Sequence, residues 1–398
     1  MQRTTRRSDL PLPAARRSPD STAAVLRAVL DHGPIARSSI ARATRLSAAT
    51  VSGIAASLQE RGLVREVPEA VVRPGVGRPH VPLDVDSAAI GVIGVHIAVP
   101  RATVALLDLR GRVLVRHQNP HRGRDPQSVL AAVADRVAAI RREFGRRRRI
   151  LGLGLATGGW VDGVNGTVVE HPVLGWRDVP VAAILSAATR LPVRVDSNSR
   201  ALLRAEQLLG RVAGDARRSA VQIFVGNVVD VAFATGGVIH QGPRSAAGAV
   251  AHLPVDGCDE PCSCGRIGCL QAAVGERALV RRALAAGLIE RPDIHAVVDA
   301  ALAGSAGAVA LLEERARRVG RAAALLLDLF DPDVLLVSEA GANRVPGCLA
   351  ALRAEVAAWS SAGADMTTTV HPSSFPENVL AVAGGAVALD QVYADPPI

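Results

Sequence analysis

The stretch "GAVAHLPVDGCDEPCSCGRIGC", residues 248–269, holds four of the five cysteines of this 398-residue chain within twelve positions. Three explanations compete for so much sulfur in one loop: disulfides, a reactive thiol pair or a bound metal. The basic start of the chain has no apolar segment behind it, and we expect no membrane helix, so the predicted location is the cytoplasm. Thiols stay reduced there, which favours a metal site over disulfides.

The spacing within the loop predicts which side chains hold the metal. Cys262 and Cys264 flank one residue, so a tight turn can direct both sulfurs to one point. Glycines then let the chain turn back and deliver Cys269, and His252 lies upstream as a fourth ligand. We therefore predict a structural Zn²⁺ site of these four residues, with Cys258 left over. A redox pair prefers two intervening residues and a helix N-terminus, which "CSC" does not provide.

The region after residues 1–18, which we expect to be a disordered basic tail, has the pattern of three short helices. They are "STAAVLRAVLDHG", "ARSSIARATRL" and "SAATVSGIAASLQERGLV", the third with Ser47 as its N-cap. The next stretch, "VREVPEAVVRPGVGRPHVPLDVD", consists of two β-rich runs around a Pro/Gly turn. Residues 19–86 are therefore predicted to form a winged helix-turn-helix rather than an unrelated three-helix bundle.

Such a domain binds double-stranded DNA with its third helix in the major groove. The formal net charge of +9 agrees with a phosphate polymer as partner, although all 46 basic residues are arginine, a bias typical of GC-rich coding. Arginines on an extended wing suit a narrow minor groove; the alternative is that they merely solvate a loop. The candidate DNA contacts are Ser38, Ser39, Thr50, Ser52, Gly53, Arg73 and Arg78.

From Ile90 onward, strands and helices alternate, and the order recurs after residue 219. "IGVIGVHIAV", "ATVALLDLRGRVLV" and "ILGLGLAT" have the pattern of strands in the first unit. "AVQIFVG", "VVDVAFATGGVIHQG" and "DVLLVS" have the same pattern in the second. Two such units indicate a duplicated α/β lobe pair with a cleft between the lobes.

The run from His252 through "CSCGRIGCL" resembles the zinc signature of the ROK family of repressors, open reading frames and sugar kinases. "GLATGGWVDGVNGTVV" with "HPVLGW", "LPVRVDSNSRALLRAE" and "ATGGVIHQGPRSAAGAVAH" are similar to further segments of that family. The resemblance implies a two-lobed ribonuclease-H-like, actin-like sugar-kinase fold for residues 87–398. The N-terminal domain resembles that of the family's repressors, which implies a homodimer or homotetramer on an inverted-repeat operator.

This chain departs from the family's kinases at the positions that carry their chemistry. Ser197 and Asn198 stand where the kinases have an Asn-Asp pair whose Asp is the general base, and an amide cannot accept the proton. Sugar-binding positions and a glycine-rich phosphate segment are also altered, the latter to "VGNVVDVA". The residues that the resemblance places in the ligand cleft are Val173, Ser197, Asn198, Ala249, His252 and Gln271.

We therefore expect a transcriptional regulator, most simply a repressor, and not an enzyme. Two alternatives remain. An active sugar kinase with an appended DNA-binding domain is disfavoured by Asn198. A sensor that binds another ligand in the remodelled cleft cannot be told apart, on sequence, from a regulator without an effector.

Overall fold

The computed structural model describes residues 21–70, 81–99, 101–121, 123–362, 365–376 and 378–397. The chain divides into two compact units: the residues up to Asp86 together with 391–398, and Ser87–Asp390. The predicted tail, residues 1–18, and the predicted wing contacts Arg73 and Arg78 lie outside the described residues.

The first unit contains the helix-turn-helix and the base of the wing. Its elements are α1 (Ser21–His32), α2 (Arg37–Thr44), α3 (Ala48–Glu60), β1 (Val64–Glu66) and β2 (Leu83–Val85), with a short 3₁₀ turn at Pro68–Ala70. β1 and β2 pair antiparallel, and Ile35 adds a bridge to Leu83. Val25, Leu26 and Val29 of α1 are fully buried, as their helical spacing predicts. The predicted winged helix-turn-helix is confirmed.

The second unit begins with a five-stranded sheet of order β10-β6-β3-β4-β5. β3, β4 and β5 form an antiparallel meander, and β6 and β10 add in parallel. This sheet and its helices are the first lobe. Its elements are β3 (Ile90–Ile97), β4 (Arg101–Asp108), β5 (Val113–Pro120), α4 (Pro126–Phe144), β6 (Arg149–Thr157), β7 (Trp160–Asp162), β8 (Thr167–His171), β9 (Trp176–Val179), α5 (Val181–Thr189), β10 (Val193–Ser197) and α6 (Asn198–Leu209).

The second lobe repeats this connectivity in the order β13-β12-β11-β14-β15, again with three antiparallel strands and two added in parallel. The predicted duplication of an α/β lobe is thereby confirmed. The remaining elements are α7 (Ala213–Arg218), β11 (Ser219–Val225), β12 (Val229–Thr235), β13 (Val238–Ile239), α8 (Leu270–Val274), α9 (Glu276–Ala285), α10 (Ile294–Leu302), α11 (Ala306–Phe330), β14 (Val334–Glu339), α12 (Ala340–Arg344), α13 (Cys348–Trp359), α14 (Met366–Thr369), β15 (Val370–Pro372) and α15 (Val379–Ala394).

Helix α15 packs its backbone directly onto the first-lobe sheet. A Cβ added to Gly94 would come within 2.6 Å of the backbone N of Gly385, and one on Gly384 within 2.3 Å of the carbonyl oxygen of Val95. Real Cβ atoms do not make such contacts, so glycine on both partners permits this close approach. The C-terminal helix thus completes the core of the first lobe.

Helices α10 and α11 contain long apolar stretches. They reach the length and hydropathy of a membrane span only as a pair, and a bend of 118° separates them. In the part of the chain that the structure describes, no single helix is long and apolar enough to cross a membrane. Val319, Ala323 and Leu327 of α11 are buried in the core of the second lobe.

Candidate functional site

The start of helix α3 is exposed at the surface of the helix-turn-helix. Arg45 takes a left-handed conformation, φ 58°, at the end of α2 and turns the chain toward α3. The Ser47 hydroxyl accepts a hydrogen bond from the Thr50 backbone N–H at 3.1 Å, as the predicted N-cap requires. Thr50, Ser52 and Gly53 are all exposed on this turn of helix.

The two predicted DNA contacts on α2 differ in exposure and in hydrogen bonding. Ser38 is exposed. The Ser39 hydroxyl is half-buried and accepts a hydrogen bond from Arg42 at 3.1 Å. On α3, the Thr50 hydroxyl lies 2.8 Å from the Ser47 hydroxyl, so both form part of the cap.

Arg37 organises this domain, although no pattern in the sequence marks it as a structural residue. Its guanidinium donates to the side chain of Gln59 at 3.1 Å and to that of Glu66 at 2.9 Å. It also donates to the carbonyl of Val81 at 3.4 Å. One side chain therefore ties α2 to α3 and to both sides of the wing base.

The structure brings together the four predicted zinc ligands. The ligand atoms of His252, Cys262, Cys264 and Cys269 all lie within 4.8 Å of one another. Cys262 Sγ is 3.6 Å from His252 Nδ1, and Cys264 Sγ is 3.7 Å from Cys269 Sγ. In a tetrahedral site with Zn–S bonds of about 2.3 Å and Zn–N bonds of about 2.1 Å, these separations are about 3.6 Å and about 3.8 Å. The donor set and its spacing fit Zn²⁺.

The backbone of the loop explains how the ligands converge. Gly265 and Gly268 have φ values of +86° and +76°, which L side chains rarely adopt. The Gly268 N–H donates to the Glu260 carbonyl at 3.1 Å, closing the turn that carries Cys262 and Cys264. Cys258 is buried in the apolar core of the second lobe instead, apart from the ligand cluster.

A cavity of about 690 Å³ lies between the two lobes of the second unit. Its first-lobe wall includes His96, His171, Val173 and Asn198, and no carboxylate among the described residues. His96 Nε2 lies 3.1 Å from Asn198 Oδ1. Burial lowers the pKa of His96 to about 4 and that of His171 to about 4. Both imidazoles are therefore neutral at physiological pH.

Of the predicted cleft residues, only Val173 and Asn198 are among the described residues that line this cavity. The structure places the other four outside the described lining of this cavity. Gln271 accepts from the Val229 N–H at 2.7 Å and donates to the Asn227 carbonyl at 3.0 Å, so its amide supports the β11–β12 turn. The remaining three have other roles or positions: Ser197 caps α6, His252 faces Cys262, and Ala249 is exposed in its loop.

The second-lobe wall contains a buried ion pair. Arg315 and Glu339 are 2.5 Å apart, with side chains 1% and 0% exposed. Glu339 also lines the cavity and accepts from the Ala342 N–H at 2.6 Å, capping α12. Beside them, burial raises the pKa of Glu276 to about 7, against the opposing charge of Arg315. The carboxylates that line the cavity thus come from this wall, together with Arg277, Arg281 and Arg344, whereas the charged residue of the first-lobe wall is Arg101.

Arg200 and Asp230 are two further buried charged groups that no pattern in the sequence marks. Arg200 is 2% exposed, pairs with Asp196 and donates to the carbonyls of Ser245 and Val161. Asp230 on β12 accepts from the Ser199 N–H at the start of α6 at 3.5 Å. Burial raises the pKa of Asp230 to about 6. Both join segments far apart in the chain, which leaves no local pattern to detect.

Comparison with known proteins now identifies the fold and the family. Residues 92–391 match the family model described as ROK family, and residues 19–73 match that of the MarR family. The chain belongs to the ROK family. It is 34% identical over 397 residues to a transcriptional regulator of Mycobacterium tuberculosis, covering 96% of this chain and 88% of that one. The chain is thus a ROK-family transcriptional regulator with an N-terminal winged helix, and the predicted family is confirmed.

Solved structures share this fold. A ROK family transcriptional regulator, described as a homolog of the E. coli MLC protein, matches with TM-score 0.75 and 23% identity over 94% of this chain and 96% of that one. A ROK family glucokinase from Streptomyces griseus matches with TM-score 0.63 and 24% identity over 74% of this chain and 98% of that one. The kinase thus matches a smaller share of this chain than the regulator does.

Proposed function

We propose that this ROK regulator represses transcription by binding an inverted-repeat operator as a homodimer or homotetramer. The observation that carries the proposal is the exposed N-terminal turn of α3 with Thr50, Ser52 and Gly53, held by the Ser47 cap beside a β wing. In winged helix-turn-helix domains this turn contacts base edges in the major groove. Gly53 has no atom within 4 Å of where a Cβ would lie, so duplex can approach it closely.

Selection of duplexes from random sequence by the full-length protein tests this directly. We expect an inverted repeat with half-sites one or two helical turns of about 10.5 base pairs apart. Affinity should fall steeply with salt, because arginine–phosphate contacts release counterions. Thr50→Arg should abolish selection by filling the exposed turn, and Leu302→Arg, at an exposed position of the second unit, is the matched control. Enrichment of no sequence at low salt would contradict the proposal.

The ROK domain of this protein works without phosphoryl transfer. A general base is effective when its pKa lies near the working pH. On the first-lobe wall, the candidates for a base are the amide of Asn198 and two imidazoles whose pKa values burial lowers to about 4. The acidic residues of the cavity, such as Glu276 and Glu339, belong to the opposite lobe. Incubation with ATP and hexoses should release no sugar phosphate.

The metal cluster is a structural zinc site. When bound, Zn²⁺ neutralises the thiolates and cross-links the loop between β13 and α8. Hydrogen bonds from Arg266 lower the pKa of Cys264 to about 6, which favours the thiolate form that binds metal. The nearby buried apolar group is small, consisting of Cys262, Cys269 and Ala272, so the loop has little core of its own. Elemental analysis should find about one zinc per chain.

A second candidate function is a sensor that uses the interlobe cavity for a ligand other than hexose. The volume of about 690 Å³ is that of a ligand pocket. Val173 and the neutral His96 and Asn198 make the first-lobe wall less polar than a carboxylate-lined sugar site. Isothermal titration with glucose, N-acetylglucosamine, N-acetylmannosamine and xylose tests whether the cavity still binds these sugars. We expect no heat of binding at millimolar sugar. Micromolar binding of any of them would contradict a cleft that has lost hexose recognition.

A further inference from the structure

A dense group of arginines lies at the end of helix α4, and the DNA contacts described above do not use it. Residues 141–149, "RREFGRRRR", contain six arginines and one glutamate, a net charge of +5 in a chain of formal net charge +9. The sequence alone favours the solvated end of a helix. We use the name α4 patch for Arg142, Arg146, Arg147 and Arg190.

The backbone under the α4 patch is fixed by hydrogen bonds. Helix α4 ends at Phe144, and the N–H groups of Arg147 and Arg148 both donate to the Phe144 carbonyl at 2.9 Å. The Arg149 N–H then donates to the Ala89 carbonyl at 2.9 Å as β6 begins. The arginines therefore project from an ordered turn between a helix and a strand.

The side chains of Arg141 and Arg148 donate hydrogen bonds to backbone carbonyls of neighbouring segments. Arg141 donates to the Thr189 carbonyl at 2.5 Å and so holds the end of α5, where Arg190 follows. Arg148 donates to the carbonyls of Ser87 at 2.5 Å and Ile90 at 3.3 Å.

The α4 patch itself is different. Its four side chains are exposed, and within the described part of the chain they make no hydrogen bond or ion pair. The acidic side chain in the same turn is Glu143, also exposed. Several positive charges are thus held close together without neutralisation.

Stabilisation of the helix end accounts for only part of this arrangement. A cation in the last turn of a helix is stabilised by the helix dipole, which applies to Arg141 and Arg142. Arg190 lies in the same way at the end of α5, but Arg146 and Arg147 lie beyond the end of α4. A concentrated, unpaired positive surface is typical of a site that meets a polyanion.

We propose that the α4 patch is a second contact to double-stranded DNA, made with phosphates that flank the operator. This rests on the operator binding proposed above, which brings the duplex to the protein. Arg148, next to the patch in the chain, donates to the carbonyl of Ser87, the first residue of the second unit and two residues after β2 in the sequence. Guanidinium groups bind phosphate oxygens in pairs.

A lipid surface is the competing polyanion, and the composition of the patch disfavours it. Membrane-binding basic surfaces carry exposed aromatic or aliphatic side chains that enter the acyl region. The large apolar side chain within residues 141–149 is Phe144, and it is half-buried and packs against the core of the first lobe. The patch offers charge without an apolar anchor.

The test compares two triple variants of the full-length protein. The first is Arg142→Gln, Arg146→Gln, Arg147→Gln. The matched control is Arg194→Gln, Arg244→Gln, Arg291→Gln, which removes the same charge from exposed arginines of the second unit whose side chains have no partner in the described chain. Duplexes selected by the wild-type protein are prepared at two lengths, the operator alone and the operator with about 15 additional base pairs on each side, or about 1.5 turns.

Each phosphate contact contributes about 0.9 to the slope of log affinity against log salt. On the long duplex, loss of three contacts should reduce the slope by about 3. Between 50 and 200 mM salt, the wild-type affinity should therefore fall about 40-fold more than that of the patch variant. On the short duplex the patch variant should have the same salt slope as the wild type. The control variant should have the wild-type slope on both duplexes.

Equal slopes for wild type and patch variant on the long duplex would overturn the proposal. So would an equal loss on both lengths, or an equal effect of the control variant. The patch would be assigned to lipid instead if the wild type bound phosphatidylglycerol vesicles, the patch variant did not, and the salt slopes of DNA binding were the same for both. If the wild type selects no duplex at all, operator binding itself fails, an outcome distinct from a patch variant that behaves like the wild type.

Discussion

Glu339→Ala should destabilise the ROK domain by about 3–5 kcal/mol, because it leaves a buried guanidinium unpaired. Arg315 Nη1 lies 2.5 Å from Glu339 Oε1, and both side chains are at most 1% exposed. Arg315 Nε also donates to the Val274 carbonyl at 2.7 Å, and its Nη2 to that of Val225 at 3.3 Å. These carbonyls hold the guanidinium in place after the carboxylate is removed. The Ala342 N–H loses its cap in the same substitution.

The expected change in melting temperature follows from domain size. Unfolding entropy is about 2.1 cal/mol/K per residue, so a unit of about 300 residues, Ser87–Asp390, has about 0.6 kcal/mol/K. A loss of about 3–5 kcal/mol then lowers the Tm by about 5–8 °C. Differential scanning calorimetry measures this shift.

Two controls isolate the cause. Arg344→Ala breaks a pair with Asp299 that is 3.5 Å long, with side chains 38% and 63% exposed, and should cost less than about 1 kcal/mol. The double variant Arg315→Met, Glu339→Met removes both charges and should recover most of the loss. Equal shifts for Glu339→Ala and Arg344→Ala, or no recovery in the double variant, would refute the reasoning.

Three further predictions concern the buried carboxylate, the metal and the cleft. In the folded protein the pKa of Asp230 is about 6, whereas its ordinary value is 3.8. The free energy of unfolding of the wild type therefore falls by about 3 kcal/mol as the pH rises from about 4 to above about 6. Asp230→Asn should therefore raise the Tm at pH 7.5, and the gain should vanish below pH 4; an equal gain at both pH values would contradict this. Cys264→Ser should lose its zinc by elemental analysis, whereas Cys258→Ser should keep it; the reverse result would show that the ligand set is wrong. Asn198→Asp should produce no phosphoryl transfer from ATP to hexose, because one carboxylate does not rebuild the phosphate site; turnover by this variant would show that the rest of the kinase site is intact.

Local patterns in the sequence were sufficient for several conclusions. Three amphipathic helices and a Pro/Gly turn predict the winged helix-turn-helix, because periodicity and caps act within a few residues. The spacing of His252, Cys262, Cys264 and Cys269 predicts the group that converges in the fold, since a loop of eighteen residues leaves few arrangements of four ligands. The substitution at Asn198 likewise needs no structure to be seen.

Contacts between distant segments were decided by the tertiary structure alone. Gln271 resembles a cleft residue in sequence, yet the β11–β12 turn folds against it and takes both ends of its amide. Arg315 pairs with Glu339, which is 24 residues away in the sequence, and His96 contacts Asn198, which is 102 residues away. No periodicity connects such positions, because they meet only when helices and strands pack around a common core. Burial then sets their pKa values and energies, since the same side chains in water would be solvated and independent.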